Sequence, residues 1–118
     1  MPIRLIALLT AVTAVAFSLA GTGTAATVRL TATVGPGYTI TLKKGTVKVK
    51  TLKRGKYTIA IRDRSSEHNF HLRGPVNRTF SSVGWTGSKT ITIVLKPGRY
   101  SYVCDPHSDE MIGGFRVT

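Results

Sequence analysis

A chain of 118 residues that is 42% apolar, with 17 basic against five acidic side chains, has the material for one buried core and too little length for two domains. Its single cysteine excludes an internal disulfide. The low charged fraction and plentiful aromatic and β-branched residues exclude a disordered, collagenous or coiled-coil chain.

At the N-terminus, Arg4 is followed by an uncharged apolar run over residues 5–20 and then by Gly21-Thr22-Gly23-Thr24-Ala25-Ala26. A lone cation, an apolar stretch and small residues make the layout of a Sec signal peptide, with cleavage after Ala25 or Ala26. Gly, Thr and Ser dilute the run below a strong membrane-spanning signal. Residues 1–26 are therefore assigned as a signal peptide and 27–118 as the mature domain. Cleavage after Ala26 leaves 92 residues with 16 basic and five acidic side chains, a net charge of +11. Such a domain is expected in the periplasm or outside the cell as a monomer. Its expected partners are acidic proteins, anionic membrane lipids or cell-wall polymers. No nucleic-acid recognition motif is visible.

From Val28 onward the pattern has period two, broken by Gly, Pro, Ser and Asn clusters every eight to twelve residues, which predicts an all-β sandwich or barrel of seven to eight strands. Strands are predicted over 28–34, 38–42, 46–50, 57–63, 68–73, 89–95, 99–104 and 114–117. Alternation places Tyr57, Ile59 and Ile61 on one inward face, Ile91, Ile93 and Leu95 on another, and Tyr100, Tyr102 and Cys104 on a third. The last row hangs the only cysteine where strand gives way to loop, near one end of the sandwich. Between Lys43 and Lys56 seven of fourteen residues are basic, with Lys48 and Lys50 alternating against Val47 and Val49. That stretch reads as a charged edge strand that deters edge-to-edge pairing, or as a docking patch for an acidic partner.

The chemistry concentrates in Cys104-Asp105-Pro106-His107-Ser108-Asp109-Glu110-Met111 and in His68-Asn69-Phe70-His71 upstream. One thiolate, two imidazoles and a weak axial thioether form the ligand group of a blue-copper electron-transfer site. Zinc fits less well, since its closed sites want four strong donors. Taken singly, Cys104 can be a small buried hydrophobe, His107 a loop residue and Met111 core filler. Strand alternation sends His71 to the face opposite His68, as a surface or structural histidine. Pro106 has no N–H to donate to the Cys104 sulfur.

These residues resemble the cupredoxins of the plastocyanin, pseudoazurin and amicyanin type. The likeness rests on the His68-Asn69 pair, the Pro-Gly-x-Tyr-x-Tyr-x-Cys run from Pro97 to Cys104, the Cys-x-Pro-His turn, and Met-x-Gly-x-Phe-x-Val from Met111 to Val117. The resemblance implies a Greek-key cupredoxin sandwich holding one type 1 copper, with His68, Cys104 and His107 equatorial and Met111 axial. It also implies that Asn69 ties the His68 strand to the Cys104 loop. Three residues separate His107 from Met111, against four in plastocyanins and pseudoazurins and two in amicyanins, which bears on the axial bond. Glu110 is a weaker axial candidate.

Three functions compete: a one-electron carrier docking on an acidic redox partner, a copper storage or delivery protein, and a metal-free β-sandwich binding module. Enzymatic readings fail on residue supply. There is one cysteine where a binuclear copper centre needs two, no His-Cys-His cluster, no convincing Ser-His-Asp set and no phosphate-binding glycine loop. Asp105, Asp109 and Glu110 form an acidic rim in the ligand loop of a basic protein, a feature that selects a partner.

Overall fold

The computed structural model describes residues 13–16 and 27–118. The signal peptide assigned to 1–26 lies outside the described residues except for 13–16, and its cleavage point lies outside them altogether. The described chain forms β1 (Val28–Val34), β2 (Ile40–Lys44), β3 (Val47–Lys48), β4 (Thr51–Leu52), β5 (Gly55–Asp63), β6 (Phe70–Arg73), β7 (Arg78–Ser81), β8 (Gly87–Leu95), β9 (Gly98–Val103) and β10 (Ile112–Val117). One turn of 3-10 helix, Asp105–His107, lies between β9 and β10.

The strands make two five-stranded sheets, β3-β2-β1-β5-β8 and β4-β10-β9-β6-β7. β1 runs parallel to β5 and β10 parallel to β4, while every other pairing is antiparallel. The inward rows read from the sequence are buried as expected, Tyr57, Ile59 and Ile61, then Ile93 and Leu95, then Tyr100, Tyr102 and Cys104, except that Ile91 at the end of the second row is only half-buried. Across the core they meet Leu30, Ala32 and Val34 of β1 and the aromatic rings of the second sheet. Phe70 stacks on Phe80 at 5.2 Å and on Tyr102 at 5.3 Å, and Tyr100 stacks on Phe115 at 5.0 Å. Each such buried side chain is worth about 1.5–3 kcal/mol, so these rows dominate the stability of the sandwich.

The strands predicted over 57–63, 89–95, 99–104 and 114–117 shift by only one or two residues at their ends, and three others differ in ways that bear on the site. β2 begins two residues late, because Gly35 and Gly37 take positive φ (71° and 67°) and the Gly35 N–H donates to the Thr39 carbonyl at 2.8 Å, holding Tyr38 in a loop. The strand predicted over 46–50 shrinks to β3, and an unpredicted β4 begins just after it in the other sheet. Val47, expected on a buried face, is 68% exposed, while Val49 and Leu52 are buried. The alternation there spans a switch between sheets. β6 starts at Phe70, which leaves His68 and Asn69 in the loop before it. An unpredicted edge strand, β7, carries one buried aromatic, Phe80, among polar residues that read as loop. These changes account for ten strands among the described residues instead of seven to eight.

The registers define two ends of the sandwich. Val28 lies beside Tyr57, Gly55 beside Leu95, and Val117 beside Gly98, with the Arg54 N–H donating to the Thr118 carbonyl at 2.9 Å; these mark a lower pole. Val34 lies beside Asp63 and Ile112 beside Val103 at the upper pole. β5, nine residues long, spans about 30 Å between the two.

Candidate metal centre

Three side chains that are 36 and three residues apart in sequence converge at the upper pole. Cys104 follows the last residue of β9, its thiol fully buried at the end of the Tyr100 and Tyr102 row. The chain then turns through Asp105–His107, where Pro106 occupies the first turn of the helix, a position whose N–H has no intrahelical acceptor in any case. The His107 N–H donates to the Cys104 carbonyl at 3.1 Å, and the Met111 N–H to the His107 carbonyl at 2.8 Å. The Cys104 N–H donates to the Met111 carbonyl at 3.0 Å, closing the loop on itself. Met111 is fully buried at this pole.

His68 arrives from the other side. The Ser65 N–H donates to Asp63 Oδ1 at 3.0 Å and the Glu67 N–H to Ser65 Oγ at 3.2 Å, two short side-chain turns that reverse the chain after β5. They deliver His68 with only 2% of its surface exposed.

The donor atoms form a compact triangle. His68 Nδ1 and His107 Nδ1 are 3.1 Å apart, and each lies 3.6 Å from Cys104 Sγ. A point in that plane equidistant from all three lies about 2.0 Å from each, inside the range of metal–nitrogen and slightly short of metal–sulfur bonds. Three soft or borderline donors facing one point, two buried and one half-buried, form a group that can hold a metal ion.

Around the triangle, hydrogen bonds fix the loop. Asn69 donates through Nδ2 to Asp105 Oδ2 at 2.8 Å and accepts the Asp105 N–H at Oδ1 at 2.7 Å, the tie between the His68 segment and the Cys104 loop that the resemblance implied. Asp105 Oδ1 also meets His71 Nδ1 at 3.0 Å and Arg73 Nη2 at 2.6 Å. His71 Nε2 lies 2.7 Å from Asn77 Oδ1, so both of its ring nitrogens are engaged away from the triangle and its role is structural, as expected. Asp105 thus belongs to an internal network. Partial burial pushes its carboxyl upward, but hydrogen bonds from Asn69, His71 and Arg73, with the charge of His71, outweigh this and hold it below the ordinary value.

Tyr38 is the residue that sequence reasoning missed. From the loop before β2, 61% exposed, its ring sits 5.5 Å from that of His68 and edge-on 5.0 Å from that of His107. No local pattern signals this contact, since it depends on two loops meeting across the pole.

No protein-family model matches the sequence, and a search of curated proteins finds no match. Solved structures do match. The copper protein rusticyanin aligns at 20% identity over 78% of both chains with a TM-score of 0.56. Rusticyanin from Thiobacillus ferrooxidans aligns at 23% identity over 78% of this chain and 77% of that one, TM-score 0.52. Dithionite-reduced auracyanin from Roseiflexus castenholzii aligns at 18% identity over 80% of this chain and 99% of that one, TM-score 0.56. At these identities the likeness is one of fold, and the fold is the cupredoxin-like β-sandwich. The chain shares that architecture with rusticyanin and auracyanin, with a His68, Cys104 and His107 group at one end of it.

Proposed function

We propose that residues 27–118 form an exported, monomeric type 1 copper protein that carries one electron at a time and is not itself an enzyme. The observation that supports it is the donor triangle: two imidazole nitrogens and one cysteine sulfur, 3.1–3.6 Å apart. Copper, when bound, supplies a one-electron Cu(II)/Cu(I) couple. Zinc accounts less well for a set of three strong donors, since its closed sites want a fourth and a thioether such as that of Met111 is a poor one. In this reading Met111 is the weak axial ligand, favoured over the exposed Glu110 because it is buried beside Cys104.

His107, half-buried, gives the electron its shortest way out, while His68 stays sealed. Tyr38 shields both imidazoles, and the absent N–H of Pro106 leaves one fewer donor to the Cys104 sulfur. A redox partner protein docks weakly at this pole. The net charge alone argues for an acidic partner, but all five acids of the chain lie at this same end, which takes that attraction away from the exit. The remaining positive charge suits an anionic surface elsewhere on the molecule.

The test is the visible spectrum of the chain after addition of Cu(II), beside a Cys104→Ser variant. An intense blue charge-transfer band present in the first and absent in the second is expected. A folded, colourless protein would overturn the proposal. Copper held against a competing chelator in both oxidation states separates a carrier from a delivery protein, which would release it readily.

A further inference from the structure

The acids of this domain are gathered at one end of its long axis, while its cations lie along the whole length. Asp63, Glu67, Asp105, Asp109 and Glu110 lie at the end of β5 or in the loops before β6 and β10, all at the upper pole. The lower pole has no acid. There Lys53, Arg54, Lys56, Lys96, Arg99 and Arg116 are all exposed. Among the described residues the ion pairs are those of Asp105 with His71 and Arg73, so none of these six cations has an acidic partner.

Two concavities hold five of them, Lys96 lying outside both. Lys44, Lys53, Arg54 and Lys56 line one together with Val28, the first residue of β1. Lys50, Arg99 and Arg116 line the other. The registers force like charges into direct opposition: Arg99 faces Arg116 across β9 and β10, and Lys43 faces Lys48 across β2 and β3. Like charges directly opposite one another destabilise a sheet. Charge repulsion tolerated twice, with no compensating carboxylate, is what a surface built to receive anions looks like.

We infer that the lower pole is a docking surface for the anionic headgroups of a phospholipid bilayer, which leaves the metal pole facing away. One observation selects a bilayer: the cations are spread over a whole end of the sandwich and not gathered in one pocket, which suits many headgroups in a plane. With about 30 Å between the poles and a Debye length of about 8 Å at physiological salt, the acids at the metal pole do not weaken the attraction.

The experiment is co-sedimentation of the full chain with vesicles of phosphatidylcholine alone or with one third phosphatidylglycerol. The apolar run is common to every arm, so the ratio between the two vesicle types reads the folded domain. Each basic residue near an anionic surface is worth about a five-fold change in partitioning. Lys53→Gln/Arg54→Gln/Lys56→Gln is therefore expected to cut the preference for anionic vesicles about 100-fold. Arg62→Gln/Arg64→Gln/Lys89→Gln removes the same charge from the metal-pole half and is expected to change it less than about five-fold. Equal losses in the two triple variants would overturn the inference, since net charge and not the lower pole would then be responsible. So would absence of any preference for anionic vesicles, including the case in which soluble polyphosphate binds the lower pole and vesicles do not. Circular dichroism of both variants guards against unfolding, and the readout needs no copper, so it fails or succeeds apart from the proposed function.

Discussion

Replacing Asn69 with alanine removes the clamp between the two segments that carry the donor triangle, and its cost follows from the contacts. Asn69 is 4% exposed and makes two short bonds to one residue, donating to the Asp105 carboxylate at 2.8 Å and accepting its N–H at 2.7 Å. A hydrogen bond to a charged acceptor is worth about 1.5–3 kcal/mol, and a backbone N–H left without its acceptor costs about 1 kcal/mol more. The expected loss is about 3 kcal/mol, a large part of the roughly 5–15 kcal/mol that holds a domain together. At about 4–8 °C per kcal/mol for this size, Asn69→Ala lowers the melting temperature by roughly 15 °C. Thermal melts at pH 7, paired with a double-mutant cycle against Asp105→Ala, measure it. The cycle isolates the side-chain bond because the Asp105→Ala backbone N–H survives, and a coupling of about 1.5–2 kcal/mol is expected. Metal affinity falls as well, by about 10–100-fold, as for other partners that orient a ligand loop. A drop in melting temperature below about 4 °C with no coupling would refute the argument that this clamp holds the loop.

Three further outcomes are expected. Asp105 has its carboxyl held below the ordinary value of 3.8, so its stabilising effect is present above that value and is lost as pH falls through the folded-state value. Asp105→Asn therefore lowers the melting temperature at pH 7 and flattens its decline below about pH 4; parallel curves for the two proteins from pH 7 to 2 would contradict this. The Tyr102 hydroxyl is buried with no hydrogen-bond partner, the nearby Leu42 backbone being too poorly placed to close a bond, and burial pushes its phenol up. Tyr102→Phe is expected to stabilise by about 1 kcal/mol in urea melts, and a loss instead would reveal a partner such as an ordered water. Tyr38→Ala removes two aromatic contacts from an exposed ring, costs about 1 kcal/mol or less, and speeds copper loss to a chelator several-fold; unchanged release rates would show that the ring does not shield the site.

The parts of this molecule that were legible in the sequence are those set by local periodicity. Tyr57, Ile59 and Ile61, or Tyr100, Tyr102 and Cys104, announce their inward face because a strand has period two and each row lies wholly within one sheet. The same rule misplaced Val47, because the chain leaves the first sheet after Lys48 and joins the second at Thr51, and alternation does not register a change of partner. β7 was invisible because its two buried residues, Phe80 and Ser81, are adjacent and show no alternation. At the site, His68, Cys104 and His107 were found by residue type and resemblance, and the model brings them together. The role of Asp105 was not legible: its three partners, Asn69, His71 and Arg73, are 36, 34 and 32 residues away. The rim of acids was read as a feature facing a partner. For Asp105 the structure adds contacts within the chain, since its exposed carboxylate also meets Asn69, His71 and Arg73.

That network bears on how the site would work. Every bond that positions the donors is made by the protein: the loop closure between Cys104 and Met111, the turn that carries His107, the Asx turn before His68 and the Asn69 clamp. Cys104 is also part of the hydrophobic core, continuous with Tyr102 and Phe70, so its sulfur cannot move without disturbing close-packed rings. In zinc fingers the metal supplies the folding energy and the site does not exist without it. Here the triangle is also tied by hydrogen bonds between protein groups and by the packed core. In the proposed role, a frame of this kind would resist the different geometries that Cu(I) and Cu(II) prefer, and ligands held nearly still between two charge states would make a one-electron exchange fast. The cost falls on the approach to the site, since a rigid triangle sealed by Tyr38 and the core leaves the half-buried edge of His107 as the place where a partner must come close.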